Sequence, residues 1–308
     1  GADAVYIAGP QVGARQAAGN DIDDIRQLCA YAHKFGARIF ITLNTILYDS
    51  ELEAAYRFML DVQEAGADAI IIQDMAVVAM AEKGFGNIKE EIRIPLHAST
   101  QCAIRTPEHA RFLESLGFSR LILERQLSLE EIKAIRDAVT CELEVFVHGA
   151  ICVCYSGQCR MSAVIGNRSG NRGECAQPCR LPYNGGKYPI SFRDLCLAKH
   201  VPELLRLGIS SLKIEGRMKS PEYVYSVART WRTLLDEERG ASEKEMARLS
   251  GVFSRSGFTD GYFKGKKGPD MFGIRREEKE DKQWLQGARQ TYEGVENPLV
   301  DITFRAVV

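Results

Sequence analysis

Short, uninterrupted apolar runs alternate with amphipathic segments along most of the chain. The runs predict β-strands at Ala4–Gly9, Arg38–Asn44, Ala69–Asp74, Pro95–Gln101, Arg120–Arg125, Glu142–Gly149 and Ser211–Glu215. The other segments repeat apolar residues at helical spacing. They predict helices at Ile22–Phe35, Glu51–Ala65, Ala76–Lys83, Pro107–Leu116, Leu129–Ala138, Leu195–Leu207 and Pro221–Glu238. Because continuous apolar strands are typical of parallel sheets covered by helices, the alternation predicts an α/β fold.

Residues at the predicted helix boundaries agree with this assignment. Ser128, followed three residues later by Glu131, forms a capping box at a helix start. Thr106 directly before Pro107 combines an N-cap with a proline at the first helical position. Gly66 follows another predicted helix and is typical of a helix C-cap.

The predicted strands number one fewer than the eight that close a TIM-like barrel. The chain starts without methionine, at a position typical of a helix-to-strand junction. We therefore expect an α/β fold of the TIM-like (β/α)8 barrel type whose first strand lies upstream of residue 1. A natural seven-stranded barrel and an open doubly wound sheet are the alternatives. The barrel is expected to span residues 1–240, with a cysteine-rich insertion at 150–194 after its penultimate strand. Residues 241–287 are expected to pack on the barrel, and 288–308 to begin a truncated β-rich domain or a tail.

Polar residues stand at the carboxyl ends of the predicted strands, where TIM barrels carry their active sites. Arginine and lysine there can hold anionic groups, and carboxylates or histidine can transfer protons. The residues expected to bind substrate are Arg15, Asn44, Gln101, Arg125 and Lys213. The residues expected to be catalytic are His148, Glu215 and Arg217. Two other interpretations stay open: His148 as a strand end that hydrogen-bonds locally, and Lys213 with Glu215 as a salt bridge inside the barrel.

Four cysteines share a segment rich in Gly, Asn, Arg, Ser and Pro, at Cys152, Cys159, Cys175 and Cys179. Such a long segment cannot order itself by burying apolar surface, so a metal centre held by four thiolates would give it a reason to fold. Structural zinc sites usually pair two closely spaced cysteine knuckles, whereas only Cys175 and Cys179 are that close here. The spacing favours a bulkier iron–sulfur cluster, with zinc, or simple burial of some of these thiols, as the alternatives.

Composition narrows the choice of function. The 308 residues include 40 basic and 41 acidic side chains, so net charge gives no general reason to expect nucleic acid binding. No apolar run approaches the ~20 residues of a membrane span, and nine unevenly spaced cysteines favour a reducing compartment, the cytoplasm.

A local basic stretch interleaved with Tyr262, Phe263 and Phe272 can contact RNA or form a solvated face. Its basic residues are Lys264, Lys266, Lys267, Arg275 and Arg276.

Several strings resemble the signatures of peptidase family U32, the collagenase-like protease group. They are EVFVHGAICVCYSGQCRMS at residues 144–162, GECAQPCR at 173–180 and SLKIEGRMKS at 211–220, with GADAVY at 1–6 and FTDGY at 258–262. The resemblance covers nearly the whole chain, and the cysteine signature is its most specific part.

The resemblance implies a TIM-like core and an activity on RNA or on quinone precursors. Members of the family are needed for 5-hydroxylation of a tRNA wobble uridine, in a route involving prephenate, or of a cytidine in 23S rRNA. Relatives that act in ubiquinone hydroxylation carry a [4Fe–4S] cluster, but they lack a cysteine at the position of Cys179. Cys152, Cys159, Cys175 and Cys179 together match the RNA-acting members. We therefore expect a [4Fe–4S] cluster on these cysteines, tRNA or rRNA as the partner, and a small anionic metabolite as a further ligand.

The substrate and the type of activity stay open at this point. The tRNA-acting members carry a longer insertion between the positions of Arg180 and Ile190, which leaves the RNA species undecided. A collagenase-like peptidase would need a metal-bound water or an activated nucleophile. The histidines show no H-E-x-x-H spacing, although His148 with Cys152 could form a dyad. A non-catalytic barrel whose insertion is held by zinc is the remaining alternative.

Overall fold

The computed structural model describes residues 1–9, 20–88, 90–216 and 219–274, together with Gln286, Gly287 and Arg289. The strands are β1 (Ala4–Ala8), β2 (Arg38–Leu43), β3 (Ala69–Ile72), β4 (Leu96–Ala98), β5 (Arg120–Ile122), β6 (Glu142–Gly149), β7 (Asp194–Cys196), β8 (Ser211–Ile214) and β9 (Phe258–Thr259). The helices are α1 (Ile22–His33), α2 (Leu52–Glu64), α3 (Met75–Lys83), α4 (Pro107–Ser115), α5 (Leu129–Ala138), α6 (Met161–Gly166), α7 (Val201–Arg206), α8 (Pro221–Asp236) and α9 (Glu243–Val252). Every predicted strand is present within its predicted limits.

Most strands form one parallel sheet. Strands β1 to β6 pair in parallel with their neighbours along the chain, and β8 pairs in parallel with β6. In β3, Ile70, Ile71 and Ile72 are all buried, so both faces of the strand are covered. Strands covered on both faces read as continuous apolar runs, which is why the pattern located them. The prediction of an α/β fold with a mostly parallel sheet is confirmed.

The edges of this parallel sheet approach each other at β1 and β8. The hydroxyl of Tyr6 in β1 donates a hydrogen bond to the carbonyl of Ile214 in β8, at 3.5 Å. Within the described ranges, however, no backbone ladder joins the two strands. A closed barrel is therefore not confirmed by strand pairing.

The helix predicted at Leu195–Leu207 is wrong at its start. Residues Asp194–Cys196 instead form β7, which runs antiparallel to β6 and pairs Leu195 with Gly149. The helix α7 begins only at Val201, after a short 3-10 turn. A brief apolar run does not distinguish a strand from the first turn of a helix, because only distant pairing decides between them. The cysteine segment, residues 150–194, therefore begins after β6 and returns to the same strand.

The capping residues lie where the sequence predicts them. The backbone N–H of Ser128 donates to the Glu131 carboxylate at 2.7 Å, and the Ser128 hydroxyl accepts from the Glu131 N–H. Thr106 caps α4 ahead of Pro107. Gly66 has a φ of +87°, a left-handed conformation that glycine adopts readily at helix ends.

The chain beyond α8 stays attached to the sheet. Helix α9 contacts α8, and β9 pairs in parallel with β7. Residues 288 and 290–308 lie outside the described residues, so the expected β-rich domain or tail stays a prediction. No helix in the described ranges is both long and apolar enough to cross a membrane.

Candidate functional site

A cavity of about 740 Å³ opens at the carboxyl ends of the parallel strands. Predicted site residues that line it are Asn44, Gln101, Arg125, His148, Lys213 and Glu215. Two predicted metal ligands, Cys152 and Cys175, line the same cavity. Parallel strands bring their carboxyl ends to one edge of a sheet, so residues far apart in sequence meet there. The structure thus brings these residues together, while their individual roles stay predictions.

Arg125 and Glu215 form an ion pair in the cavity wall. Arg125 Nη2 lies 3.3 Å from Glu215 Oε2, and Nη1 donates to the carbonyl of Ala150 at 3.1 Å. The guanidinium carbon lies 3.8 Å from the centroid of the Phe146 ring. Its buried Nε has no hydrogen-bond partner among the described residues. The guanidinium is therefore held in place on three sides.

Lys213 belongs to a buried ionic network with Glu144 and Arg120. Its Nζ lies 2.5 Å from Glu144 Oε1, and Arg120 Nη1 lies 3.0 Å from Glu144 Oε2. Burial alone would raise the pKa of Glu144, but the two cations outweigh it and lower the pKa to about 2. The alternative interpretation of Lys213 as an ion-pair residue inside the sheet is thus favoured, with Glu144 on the adjacent strand β6 as its partner. The charge of Lys213 is thus matched within the protein.

His148 is enclosed by aromatic rings and is only 1% exposed. Its ring centroid lies 5.2 Å from that of Phe258 and 6.1 Å from that of Tyr223. Nδ1 has no hydrogen-bond partner in the described part of the chain. Burial, with a smaller contribution from the charge of Lys219, lowers the pKa of His148 to about 3. His148 is therefore a neutral imidazole near pH 7.

Amide side chains connect the strand ends to the cysteine segment. Gln101 Nε2 donates to the carbonyl of Asn44, and Gln73 Nε2 donates to the carbonyl of Gln101 at 3.1 Å. Asn171, within the cysteine segment, donates from Nδ2 to Gln73 Oε1 at 2.7 Å. Sequence reasoning missed Gln73 and Asn171. The available signal was the position of Gln73, directly after the isoleucine run of β3.

The four predicted metal ligands lie close enough together to interact electrostatically. Burial raises the pKa of the Cys152 thiol, and neighbouring Cys159 and Cys175 raise it further. Burial also raises the pKa of the Cys179 thiol, with added contributions from the other three. The backbone N–H of Gln177 donates to Cys175 Sγ at 3.3 Å. All four cysteines are free thiols.

This donor set suits a thiolate-bound metal centre by its chemistry. Four free thiols, one of them already accepting a backbone N–H, are the ligands that iron–sulfur clusters and zinc take. Within the described residues, no group of three or more His, Cys, Asp or Glu side chains stands in metal-binding geometry. Binding would therefore have to complete the site, as metals commonly do in proteins. The choice between iron–sulfur and zinc stays a prediction.

Arg180 joins the two ends of the cysteine segment, a role that sequence reasoning missed. It is 3% exposed, and its Nη2 donates to the carbonyl of Ile151 at 2.9 Å. Its Nη1 donates to Ser191 Oγ at 3.1 Å and to the carbonyl of Phe192. Ile151 and Phe192 lie near opposite ends of the cysteine segment, so the buried guanidinium of Arg180 links these two ends. The only signal in the sequence was the position of Arg180 directly after Cys179.

Arg172 attaches the middle of the same segment to the loop between β2 and α2. Its Nη2 lies 2.5 Å from Glu51 Oε2 and also donates to the carbonyl of Ile46 at 3.0 Å. The guanidinium carbon lies 4.3 Å from the centroid of the Tyr48 ring. The hydrogen bond from Arg172 is the main reason that the pKa of Glu51 is lowered. No local pattern predicts this pair, because its members are 121 residues apart.

An exposed aromatic and cationic surface lies beside the cysteines. The guanidinium carbon of Arg105 lies 3.7 Å from the centroid of the Tyr155 ring, and Tyr155 is 45% exposed. Tyr262 is half-buried, and its ring centroid lies 5.7 Å from that of Phe192. Burial is the main cause that raises the pKa of Tyr262, and the phenol of Tyr155 adds a smaller contribution. Lys267 Nζ lies 5.8 Å from the centroid of the Tyr262 ring.

The predicted basic stretch reaches the surface only in part. Lys264, Lys266 and Lys267 are exposed, and Lys264 Nζ lies 2.7 Å from Asp260 Oδ2. Phe263 is not available to RNA, because its ring is buried. Phe272 stacks on Phe192 at 4.5 Å, and Arg275 and Arg276 lie outside the described residues.

Two predicted site residues, Arg15 and Arg217, also lie outside the described residues. Two cationic residues that sequence reasoning missed, Lys219 and Arg255, line the cavity. Lys219 Nζ lies 2.7 Å from the centroid of the Phe253 ring. Arg255 Nη1 lies 3.6 Å from Asp194 Oδ1. Lys219 stands in the string SLKIEGRMKS, so the resemblance could have identified it.

A known protein family and several curated proteins match this chain. The profile of Peptidase family U32 matches residues 1–272. The 23S rRNA 5-hydroxycytidine C2501 synthase of Escherichia coli (strain K12) is 44% identical over 279 residues, which cover 85% of this chain and 40% of that protein. The tRNA hydroxylation protein P1 of Bacillus subtilis (strain 168) is 32% identical over 253 residues, covering 77% and 58% of the two chains. A protein named Collagenase from Porphyromonas gingivalis (strain ATCC BAA-308 / W83) is 31% identical over 299 residues, covering 87% and 70%. The chain thus spans less than two thirds of the first two relatives.

Proposed function

This chain belongs to peptidase family U32, and we propose that it takes part in 5-hydroxylation of a pyrimidine in rRNA or tRNA, using a [4Fe–4S] cluster. The cluster would be held by Cys152, Cys159, Cys175 and Cys179, in the reducing cytoplasm. The observation that carries the proposal is that Cys152 and Cys175 line the same cavity as the polar strand ends. The 44% identity to an rRNA 5-hydroxycytidine synthase favours rRNA as the substrate.

The reaction explains why a redox group is needed. Hydroxylation at pyrimidine C5 is an oxidation, which side chains alone do not perform. When bound, an iron–sulfur cluster supplies electron-transfer chemistry. The contribution of the protein is to hold the thiols beside the cavity. Arg180 does so at the ends of the cysteine segment and Arg172 at its middle.

Cationic side chains in the cavity wall suit an anionic ligand. Arg125, Lys219 and Arg255 would hold an RNA phosphate or a small carboxylate metabolite. The amides of Asn44 and Gln101 would hydrogen-bond the edge of the pyrimidine, as in enzymes that read an extruded base. Each of these groups already has a fixed position, which lowers the entropy cost of binding.

Two further residues would transfer protons or accept hydrogen bonds from the substrate. Glu215, oriented by its ion pair with Arg125, would accept or donate a proton at the substrate. His148, neutral and enclosed, would accept a hydrogen bond or a proton only from a ligand deep in the cavity. We also propose that the sheet belongs to a TIM-like barrel that one further strand, between β8 and β1, would close.

Metal analysis tests the cluster. Protein purified without oxygen should contain about four iron and four sulfide per chain. Cys152→Ala and Cys175→Ala should each lose most of the iron. Cys29→Ala, which removes a buried thiol in α1, should retain it. A colourless protein that contains zinc and no iron would contradict the cluster.

Mass spectrometry of cellular RNA tests the activity. A deletion strain should lack one 5-hydroxypyrimidine in rRNA or tRNA. The wild-type gene and Cys29→Ala should restore it, whereas Cys175→Ala should not. Unchanged 5-hydroxypyrimidine levels, together with gelatin cleavage that is lost in Cys152→Ala, would replace this proposal with a peptidase.

A further inference from the structure

Tyr155 and Tyr262, with their cationic neighbours Arg105 and Lys267, form what we call the stacking surface. We propose that this surface binds a single-stranded stretch of the RNA substrate beside the target nucleotide, through base stacking and phosphate contacts. The inference rests on the proposed function and names a contact region for it outside the cavity.

The backbone next to Tyr155 is anchored, although the Tyr155 ring is exposed. The next residue, Ser156, donates from its backbone N–H and its hydroxyl to the buried carboxylate of Glu124, at 3.2 and 3.0 Å. Thr100 Oγ1 lies 3.5 Å from the same hydroxyl. A rigid exposed aromatic ring offers contact area at a low cost in conformational entropy. Ser156 also lines the cavity, so Tyr155 directly precedes a cavity-lining residue in the chain.

Arg105 makes this aromatic ring suited to a nucleic acid. Its guanidinium stacks on Tyr155 and has no ion-pair or hydrogen-bond partner among the described residues. A stacked guanidinium keeps its N–H donors for an anion such as phosphate. Lys266 and Lys267 are exposed near Tyr262 and add positive charge. Lys264 contributes less, because Asp260 neutralises it.

The combination of rings and cations favours a single strand over a duplex. Bases in a duplex are stacked on each other, so their faces are not available to tyrosine. A single strand exposes both base faces and phosphates, and proteins that bind it combine aromatic rings with a positive groove. Arg105 and Lys267 have no ion-pair partner in the described part of the chain, and RNA supplies a phosphate at every nucleotide, whereas a peptide offers an anion only at its acidic residues.

Binding of a short dye-labelled RNA, followed by fluorescence anisotropy, tests the inference. The wild type should bind the single strand more tightly than the same strand annealed into a duplex. Tyr155→Ala should weaken single-strand binding about 10-fold, the loss of one stacked base, while Tyr155→Phe should stay within about twofold. Arg105→Gln should weaken binding and reduce its salt dependence. Tyr31→Ala, which removes a tyrosine of matching exposure (46%) on α1, should bind as the wild type does.

Failure of the stacking surface can be distinguished from failure of the proposed RNA modification. Wild-type affinity in both Tyr155→Ala and Arg105→Gln would overturn the stacking surface, even if the deletion strain lacks its 5-hydroxypyrimidine. Equal binding of duplex and single strand would also overturn it. A wild-type protein that binds no RNA would overturn the stacking surface as well. The proposed RNA modification is overturned in addition only if the 5-hydroxypyrimidine content of RNA from the deletion strain is unchanged.

Discussion

A Cβ atom added to Gly149 would lie 2.6 Å from the Cβ of Glu215. The last residue of β6 therefore lies directly against the residue that follows β8, with no room for a side chain between them. Gly149 also has a φ of +117°, outside the range that other residues adopt readily. This contact places Glu215 where it reaches Arg125.

Gly149→Ala should lower the free energy of unfolding by about 2–4 kcal/mol, since it combines overpacking with backbone strain. It should also disturb the Arg125–Glu215 pair and reduce RNA modification. Urea denaturation measures the first effect. Gly251→Ala is the matched control, because that position in α9 has open space around it. It should change stability by less than about 1 kcal/mol. Similar stabilities for the two variants would contradict the close contact.

Arg180→Lys should loosen the cysteine segment. A lysine ammonium cannot reproduce the fork that serves Ile151, Ser191 and Phe192, and each buried acceptor left unpaired costs about 1–3 kcal/mol. Hydrogen exchange should become faster across residues 150–194, and the iron content should fall. Arg160→Lys, an exposed replacement in the same segment, should change neither quantity. Unchanged exchange in Arg180→Lys would show that other contacts hold the segment ends.

Arg172→Gln should free the middle of the cysteine segment and leave the sheet intact. The variant loses the Glu51 pair and the stacking on Tyr48. We expect faster proteolysis within 150–194 and a nearly unchanged unfolding temperature. Arg57→Gln, which removes an exposed pair with Glu53 on α2, is the control and should not alter the cleavage rate. Equal cleavage rates in the two variants would contradict the docking role.

Two buried histidines should make the protein less stable as the pH falls below about 6.5. Burial is the main cause that lowers the pKa of His97 and of His148, each to about 3. Between these values and the ordinary pKa near 6.5, the unfolded chain binds a proton that the folded chain does not, so stability decreases with falling pH. Each histidine should contribute a slope of up to about 1.4 kcal/mol per pH unit.

His97→Leu tests this pH dependence in the range from pH 7 to pH 5. Urea unfolding of the variant should show about half of the histidine-dependent slope. Val62→Ala, a loss of buried apolar volume in α2, should lower stability at every pH without changing the slope. An identical slope in His97→Leu and the wild type would mean that His97 titrates alike in the folded and unfolded protein, which contradicts the lowered pKa.

The sequence predicts the elements well because their signals are local. The isoleucine run of β3, the capping box at Ser128 and the glycine at position 66 each reflect neighbouring residues. The parallel strands then place Asn44 and Gln101 at one edge without further information. The cysteines were recognisable because they cluster in the sequence itself.

The missed or wrong assignments all depend on distant partners. Lys213 pairs with Glu144 because strands β6 and β8 are neighbours, which no local pattern reveals. Strand β7 is a strand only because β6 offers it an edge. Arg172 and Arg180 look like ordinary polar residues of a glycine-rich segment, and their acceptors are found only once the chain is folded.

The antiparallel pairing of Leu195 with Gly149 has a consequence for how such proteins diversify. The cysteine segment leaves the sheet and re-enters it at a single point, so its length can change without shifting the register of any parallel strand. Insertions and deletions in the cysteine segment should change the free energy of folding only slightly, because the entropy cost of loop closure grows slowly with loop length. The segment can therefore be lengthened or replaced on an unchanged parallel frame, as long as the contacts of Asn171 with Gln73 and of Arg172 with Glu51 are kept.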